Sequence, residues 1–410
     1  YKMIDTLTNL PRFKKITNTL NFLGTGYKTI GNYEIGPWYN WVSGNSWEGT
    51  RFRFDLGTAY GFSRKYYLHG YLAYGTTDRR FKGKAEIYDF ISRRNPRNYI
   101  HVSYKNDIDN GQNYFDEIGT DNIFALAVRK NRVPVKFMNI EETKAEYFNE
   151  WRSGLSALIT LDNRNFTPLK NLPDKFYFSN TTGAALNNAE VSLKLRYAYL
   201  ERFLDNGFFR SSLGSDLPIV EMKLSKGLKH IFGSSYDYTK LHAGISDYIK
   251  LAPYGSLYYN FYGGKVFGTI PYMLLEVPPG NEIYYYDKYA FNLMNRYEFI
   301  TDRYAGFNIE HNIGNGIFSY FAATRKLKWR QFWNAKGLVG GISTDNEKLN
   351  FVGNYPYTNL SNRIYLEVGT GVDNIFKLLR LDFVWRVLPA HLPTQSIKSF
   401  GIFGSFRIGF

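Results

Sequence analysis

Residues Leu378–Val387 read LLRLDFVWRV, and the fold turns on how this stretch alternates. Leu379, Leu381, Phe383, Trp385 and Val387 share one side, while Arg380, Asp382 and Arg386 share the other. A period of two marks a β-strand with unlike faces. A soluble antiparallel sheet with one wet face also alternates. The length of about ten residues exceeds the usual five or six and matches a strand crossing a bilayer at a tilt. Apolar rows that end in Tyr or Trp fit an interfacial girdle, and a polar row carrying both signs of charge fits a wet lumen.

The pattern recurs along the chain. Val191, Leu193, Leu195, Tyr197 and Tyr199 oppose Glu190, Ser192, Lys194 and Arg196; Phe52, Phe54 and Leu56 oppose Arg51, Arg53 and Asp55; Ile364, Leu366 and Val368 oppose Arg363 and Glu367. Such segments number about sixteen, an even count as in single-chain bacterial barrels. Their centres run from Trp38 and Leu56 to Phe383 and Phe406. The segment around Ala335, KWRQFWNAKGLVGG, alternates poorly, and its glycines predict a bend or bulge. Short and long connections alternate, imperfectly: with both termini in the periplasm the long group falls mostly on the extracellular side, and the links Glu201 to Ser215 and Ile313 to Arg325 break the rule. The fold class is therefore all-β: a closed antiparallel transmembrane β-barrel over residues 29–410. Closure pairs the last strand with the first. That gives the terminal row Phe406, Ile408 and Phe410 a place at the bilayer edge.

Residues 1–28 differ. Phe13, Ile16, Leu20 and Leu23 fall at helical spacing, with Pro11 at the start and Gly24 and Gly26 at the end. This is a short periplasmic amphipathic helix, packed on the barrel rim or lying on the inner leaflet. The chain begins at Tyr1 with no charged-then-apolar leader, which predicts a removed signal peptide or upstream domains.

Composition narrows function. The 410 residues contain no cysteine, which excludes disulfides, thiolate metal sites and cysteine nucleophiles. The net charge of +15 is scattered, with no Lys/Arg block of the kind that binds nucleic acid. The six histidines show no metal-ligand spacing. His242 and Ser246 lie about 13 Å apart along a regular strand, beyond hydrogen-bond reach. Glu310 and His311 point to opposite faces. No catalytic, metal or cofactor site is expected.

Several stretches, among them RFKKITNTLNFLGTGYKTIGNYEIGP, WEGTRFRF, LAYGTTDRRFKGK, YAFNLMNRYEFITDRYAGFNIEHN and VDNIFKLLRLDFVWR, resemble a Bacteroidota outer-membrane family of unknown function. Its members usually carry a carboxypeptidase-like regulatory domain before the barrel. The strand count, the long loop before the twelfth strand and LLRLDF also look like the BamA/TamA assembly-factor superfamily. That resemblance implies a sixth extracellular loop whose Arg-Gly-aromatic tip enters the barrel and meets an acidic wall residue. Here the loop from Lys265 to Thr301 has no Arg-Gly pair, and Asn295-Arg296-Tyr297 is the nearest match. Arg296 is expected to meet Glu310 or Asp382, and the loop's Tyr284, Tyr285, Tyr286, Tyr289, Phe291, Leu293 and Met294 are expected to bury in the lumen. The resemblance to outer-membrane proteins makes Phe406, Ile408 and Phe410 a C-terminal insertion signal. It implies a non-enzymatic protein of the bacterial outer membrane. Its partners are membrane lipid and outer-membrane or periplasmic proteins, and its role is outer-membrane biogenesis or a surface assembly or transport complex. A passive or ligand-selective pore is the alternative.

Overall fold

The computed structural model describes residues 10–109, 128–130, 133–173, 185–390, 392 and 398–406. Helix α1 (Pro11–Thr25) forms where its apolar spacing predicts. Its stripe of Phe13, Ile16, Leu20 and Leu23 is exposed, so it does not pack on the rim as one reading expected. Phe22 alone approaches a wall ring, with 6.5 Å between its centroid and that of Trp41.

Three short strands follow: β1 (Lys28–Ile30), β2 (Tyr33–Ile35) and β3 (Val42–Asn45). Both β2 and β3 pair with β4 (Gly49–Thr58), so together they make one interrupted first strand. Trp38 is thus not a strand centre but opens the 3-10 turn Trp38–Asn40. Pro37 lacks the N–H that a continuous ladder needs. Gly36, at φ 129°, lets the chain pass the Gly26 carbonyl where a Cβ would lie 2.4 Å away.

The remaining strands are long. They are β5 (Tyr66–Gly75), β6 (Phe81–Ser92), β7 (Asn98–Asp109), β8 (Phe137–Glu150), β9 (Leu155–Lys170) and β10 (Leu186–Tyr197). After a separate hairpin of β11 (Phe203–Asn206) and β12 (Phe209–Ser212) come β13 (Ile219–Gly227), β14 (Tyr238–Lys250), β15 (Ser256–Phe267) and β16 (Arg303–Gly314). The last are β17 (Arg330–Gly341), β18 (Ile364–Ile375), β19 (Leu379–Leu388) and β20 (Phe400–Phe406). Every neighbouring pair is antiparallel in one eighteen-stranded sheet. With β2 and β3 counted as one member, and β1 as a hairpin mate of β2, the wall has sixteen strands.

Alternation sorts the rows as read. Phe52, Phe54, Leu193, Leu195, Leu381 and Trp385 are exposed on the outward face. Arg51, Asp55, Glu310, Arg380, Asp382 and Arg386 are buried inward. The β17 segment is a regular strand, contrary to the expected bend. Its Gly337 makes room for the Phe307 ring, which would stand 2.3 Å from a Cβ there. The bulge lies instead in β16, between Asn312 and Gly314.

Among the described residues no register pairs β20 with β1, β2 or β3: β20 pairs with β19, and β2 and β3 with β4. The expected closure of last strand on first is therefore not seen. Ile408 and Phe410 lie outside the described residues, while Phe406 is 69 % exposed on the outward row.

Antiparallel order gives the wall two rims. The turn rim carries the tight links, the β11–β12 hairpin and helix α2 (Ala322–Leu327); the loop rim carries the long links and helix α3 (Thr344–Asn350). The hairpin folds over the mouth at the turn rim. Phe208 packs on Tyr67 and Phe90, with centroids 5.1 and 5.5 Å away, and Arg210 pairs with Glu150 at 2.8 Å.

Refolded into lipid vesicles, Leu193→Arg near the middle of β10 is expected to lower the unfolding free energy by about 2–4 kcal/mol. Denaturant titration reads this, and a loss under about 1 kcal/mol would contradict a lipid-facing row.

Candidate functional site: a loop held in the lumen

The segment 268–302, between β15 and β16, runs inside the wall. It is the eleventh-to-twelfth-strand connection that the sequence singled out. Three apolar contacts hold it. Tyr272, Leu274 and Ile300 pack with Met138, Ile140, Phe166 and Leu186 of β8–β10. Phe291, Met294 and Phe299 pack with Leu338 and Tyr365 of β17 and β18. Tyr286 and Leu293 pack with Val384 and Phe403 of β19 and β20. The expected burial of Tyr286, Phe291, Leu293 and Met294 is met; Tyr284 and Tyr285 are half-buried and Tyr289 is 39 % exposed.

An irregular backbone inside a wall needs hydrogen-bond partners, and charged side chains supply them. The Glu367 carboxylate on β18 accepts the N–H groups of Asn292 and Leu293, at 2.8 and 2.7 Å. Lys336 on β17 donates to the carbonyls of Asp287 and Ala290, both at 2.6 Å. Lys130 donates to the carbonyls of Asn281 and Asn292, at 2.5 and 2.6 Å. Lys136 reaches the Arg296 carbonyl at 2.5 Å, and Glu298 pairs with Arg386 of β19 at 2.6 Å. Burial pushes the Lys130 ammonium down to about 8, against the pull of Glu367 and Glu282, and burial likewise lowers Lys136. A neutral amine still offers two hydrogens, enough for the two carbonyls of Lys130.

Glu310 and Asp382 do converge, but on Arg380. Its guanidinium meets both Glu310 oxygens at 2.9 and 2.8 Å and both Asp382 oxygens at 2.8 and 2.7 Å. The wall thus supplies a cation of its own to both carboxylates. The loop touches this cluster through Tyr286, whose ring lies 4.7 Å from the guanidinium; Phe332 stacks on the guanidinium at 3.6 Å. Arg296 is buried, 4 % exposed. The signal was legible: Arg380 and Asp382 stand two apart on one strand face.

The loop also reaches the last strand. Tyr286 N–H donates to the Gly404 carbonyl and Gly404 N–H donates to the Tyr284 carbonyl, both at 3.0 Å, in a parallel bridge of Tyr285 with Gly404. β20 therefore has β19 on one edge and a loop segment on the other.

A second polar arrangement escaped sequence reasoning. Asp55, His69, Glu86, His101 and Glu146 come one each from β4 to β8 and line up around the lumen. His69 meets Glu86 at 2.9 Å and Asp55 at 3.7 Å. His101 meets Glu86 at 3.0 Å and Glu146 at 2.6 Å. Tyr88 stacks on His101 at 4.0 Å. A carboxylate thus stands at each ring nitrogen of His101. These residues lie far apart in sequence, so no motif search finds them. No group among the described residues has the make-up of a metal site. His242 Nδ1 bonds the Tyr304 hydroxyl, and His311 Nε2 bonds the Tyr254 carbonyl.

The family model described as "Family of unknown function (DUF5686) C-terminal domain" matches residues 22–348, and the chain belongs to that family. No curated protein matches. Among solved structures, BamA from Haemophilus ducreyi lacking POTRA domains 1–3 is similar at 10 % identity and TM-score 0.54, over 93 % of this chain and 71 % of that one. CdiB from Escherichia coli follows at 8 % and 0.47, over 89 % of this chain and 60 % of CdiB. Wzi, an Escherichia coli outer-membrane carbohydrate-binding barrel involved in group 1 capsule assembly, follows at 9 % and 0.36, over 96 % and 86 %. The likeness to BamA shows a shared barrel fold; this chain spans less than two thirds of CdiB's length.

Arg380→Met strands two buried carboxylates and is expected to cost about 3–5 kcal/mol, read as a lower denaturant midpoint. Glu367→Leu removes the acceptor of two loop amides; faster cleavage within 281–294 by added protease is the expected readout, and an unchanged rate would contradict the latch.

Proposed function

We propose that this DUF5686-family chain is a non-enzymatic barrel of the bacterial outer membrane, acting in outer-membrane biogenesis or in a surface assembly or transport complex. One observation carries the reading: the free edge of β20, unpaired with the first strand among the described residues, is occupied by the loop at Tyr284–Tyr286. A strand edge is a template for another strand. A wall whose edge is covered by a removable loop can exchange that cover for an incoming strand, the mode called β-augmentation. Membrane lipid then borders the outward rows, and protein partners deliver the cargo. The fold shared with BamA supports the reading. The pore alternative is less favoured, because the loop crosses the lumen and packs on β8–β10 and on β17–β20.

Paired cysteines at Tyr285 and Gly404 test the reading. A Cβ at Gly404 meets nothing closer than 3.9 Å, so the substitution fits. The oxidised pair is expected to abolish in-cell function and a reductant to restore it. Full function of the locked protein would sink the latch. A large, steady single-channel conductance in the unlocked protein would favour the pore.

A further inference from the structure

A cavity of about 540 Å³ opens between the turn rim and the underside of the loop. Its volume falls within the roughly 300–1,000 Å³ of small-molecule sites. Four successive strands, β13 to β16, build its floor. Here the inward row changes character. Elsewhere it carries ion pairs: Arg51 with Asp107, Arg53 with Asp55, Arg380 with Glu310. On this floor it carries mainly neutral groups, Tyr258, Asn260 and Tyr262 of β15, Tyr304 of β16, and His242 and Ser246 of β14, with Glu221 of β13 and Asp247 of β14 the carboxylates beside them.

The rings and polar tips have complementary states. His242 spends Nδ1 on the Tyr304 hydroxyl at 2.8 Å, which leaves Nε2 for the cavity. The Ser246 hydroxyl and the Asn260 amide have no hydrogen-bond partner among the described residues. Each of these two both donates and accepts. Gly244, also on the lining, keeps the floor open between His242 and Ser246. Lys288 of the loop lies over the Tyr258 ring at 3.3 Å. Arg196, at the mouth, is committed to Glu201 and Glu221 at 2.5 and 3.3 Å. Glu276 faces the cavity from the loop, and burial pushes its carboxyl up to about 8, so it is mostly uncharged at neutral pH.

We propose that this cavity binds an uncharged oligosaccharide. A sugar ring presents flat C–H faces, which tyrosine rings accept, and edges of hydroxyls that donate and accept at once. Tyr262 and Tyr304 offer the faces; His242, Ser246 and Asn260 offer the edges, and the Tyr258 ring is covered by Lys288. A fatty chain fits worse, because it buries an unpaired amide and hydroxyl. An anionic ligand fits worse, because Arg196 is already paired, Lys288 lies on the Tyr258 ring, and the carboxylates Glu221 and Asp247 share the lining. The site does not depend on the seam reading.

The test uses the full chain in lipid nanodiscs, free of sugar-headed detergent. Cellohexaose, maltohexaose and chitohexaose are probed by saturation-transfer NMR and calorimetry, beside an anionic galacturonate oligomer and an octyl tetraethylene glycol ether. At least one neutral hexasaccharide is expected to bind, with affinity cut by about tenfold or more in Asn260→Ala and in Tyr262→Ala. Ser246→Leu, which removes the hydroxyl and narrows the cavity at its floor, is expected to abolish binding, and Phe54→Ala on the outward face to leave it unchanged. Thermal unfolding confirms that each variant is folded. No transfer from any of the three sugars at millimolar concentration overturns the proposal. So does tighter binding of the ether or the galacturonate at these residues, or sugar binding that survives Ser246→Leu in the folded protein.

Discussion

The constraint on which the structure depends is the hydrogen bonding of a loop backbone placed inside a wall. A segment without helix or ladder cannot satisfy its own N–H and C=O groups. This wall meets that need with ionised or ionisable groups. Glu367 takes two amides, Lys336 takes two carbonyls, and Lys130 takes two more. Each such side chain is buried, and a buried charge needs partners of its own. Loop and wall thus each satisfy what the other leaves open. The aromatic residues fill what remains, with Phe291, Phe299 and Tyr365 in edge-on contacts.

The rest of the inward surface follows a similar rule. Arg51 is shared between Glu48 and Asp107. Arg380 is shared between Glu310 and Asp382. His101 is shared between Glu86 and Glu146. In each case one basic side chain lies between two carboxylates. The Arg51–Asp107 and Arg380–Glu310 pairs tie strands that are three apart in the wall, β4 to β7 and β19 to β16, and the His101 triad ties β6, β7 and β8 at one height, since a slip of one residue turns every inward group outward.

Much of this was legible. A two-residue period over long stretches, with glycine-rich or polar breaks, is a strong signal, and fifteen of the sixteen segment centres fall inside strands. Trp38 failed because alternation does not register a proline that stops the ladder. The lumen position of the loop was also legible, from apolar residues too dense for a solvated link. At Glu310 the wall supplies a cation of its own, Arg380, which stands on the same strand face as Asp382 and is visible as such in the sequence. The histidine array was out of reach, since register between strands is set by pairing that a single sequence does not display. The exposed stripe of α1 had two readings, and helical spacing alone cannot say what a stripe faces.

The bridge between Tyr285 and Gly404 joins a loop that leaves the eleventh strand to an edge made by the sixteenth. More than a hundred residues separate them. On a chain synthesised from its N-terminus, that loop therefore has no docking edge until nearly the whole wall exists. Non-local contacts of this span form late. The seating of the loop then acts as a checkpoint on completeness: a chain that stalls before β20 keeps an unsettled aromatic segment, visible to proteases and chaperones, whereas a finished chain hides it.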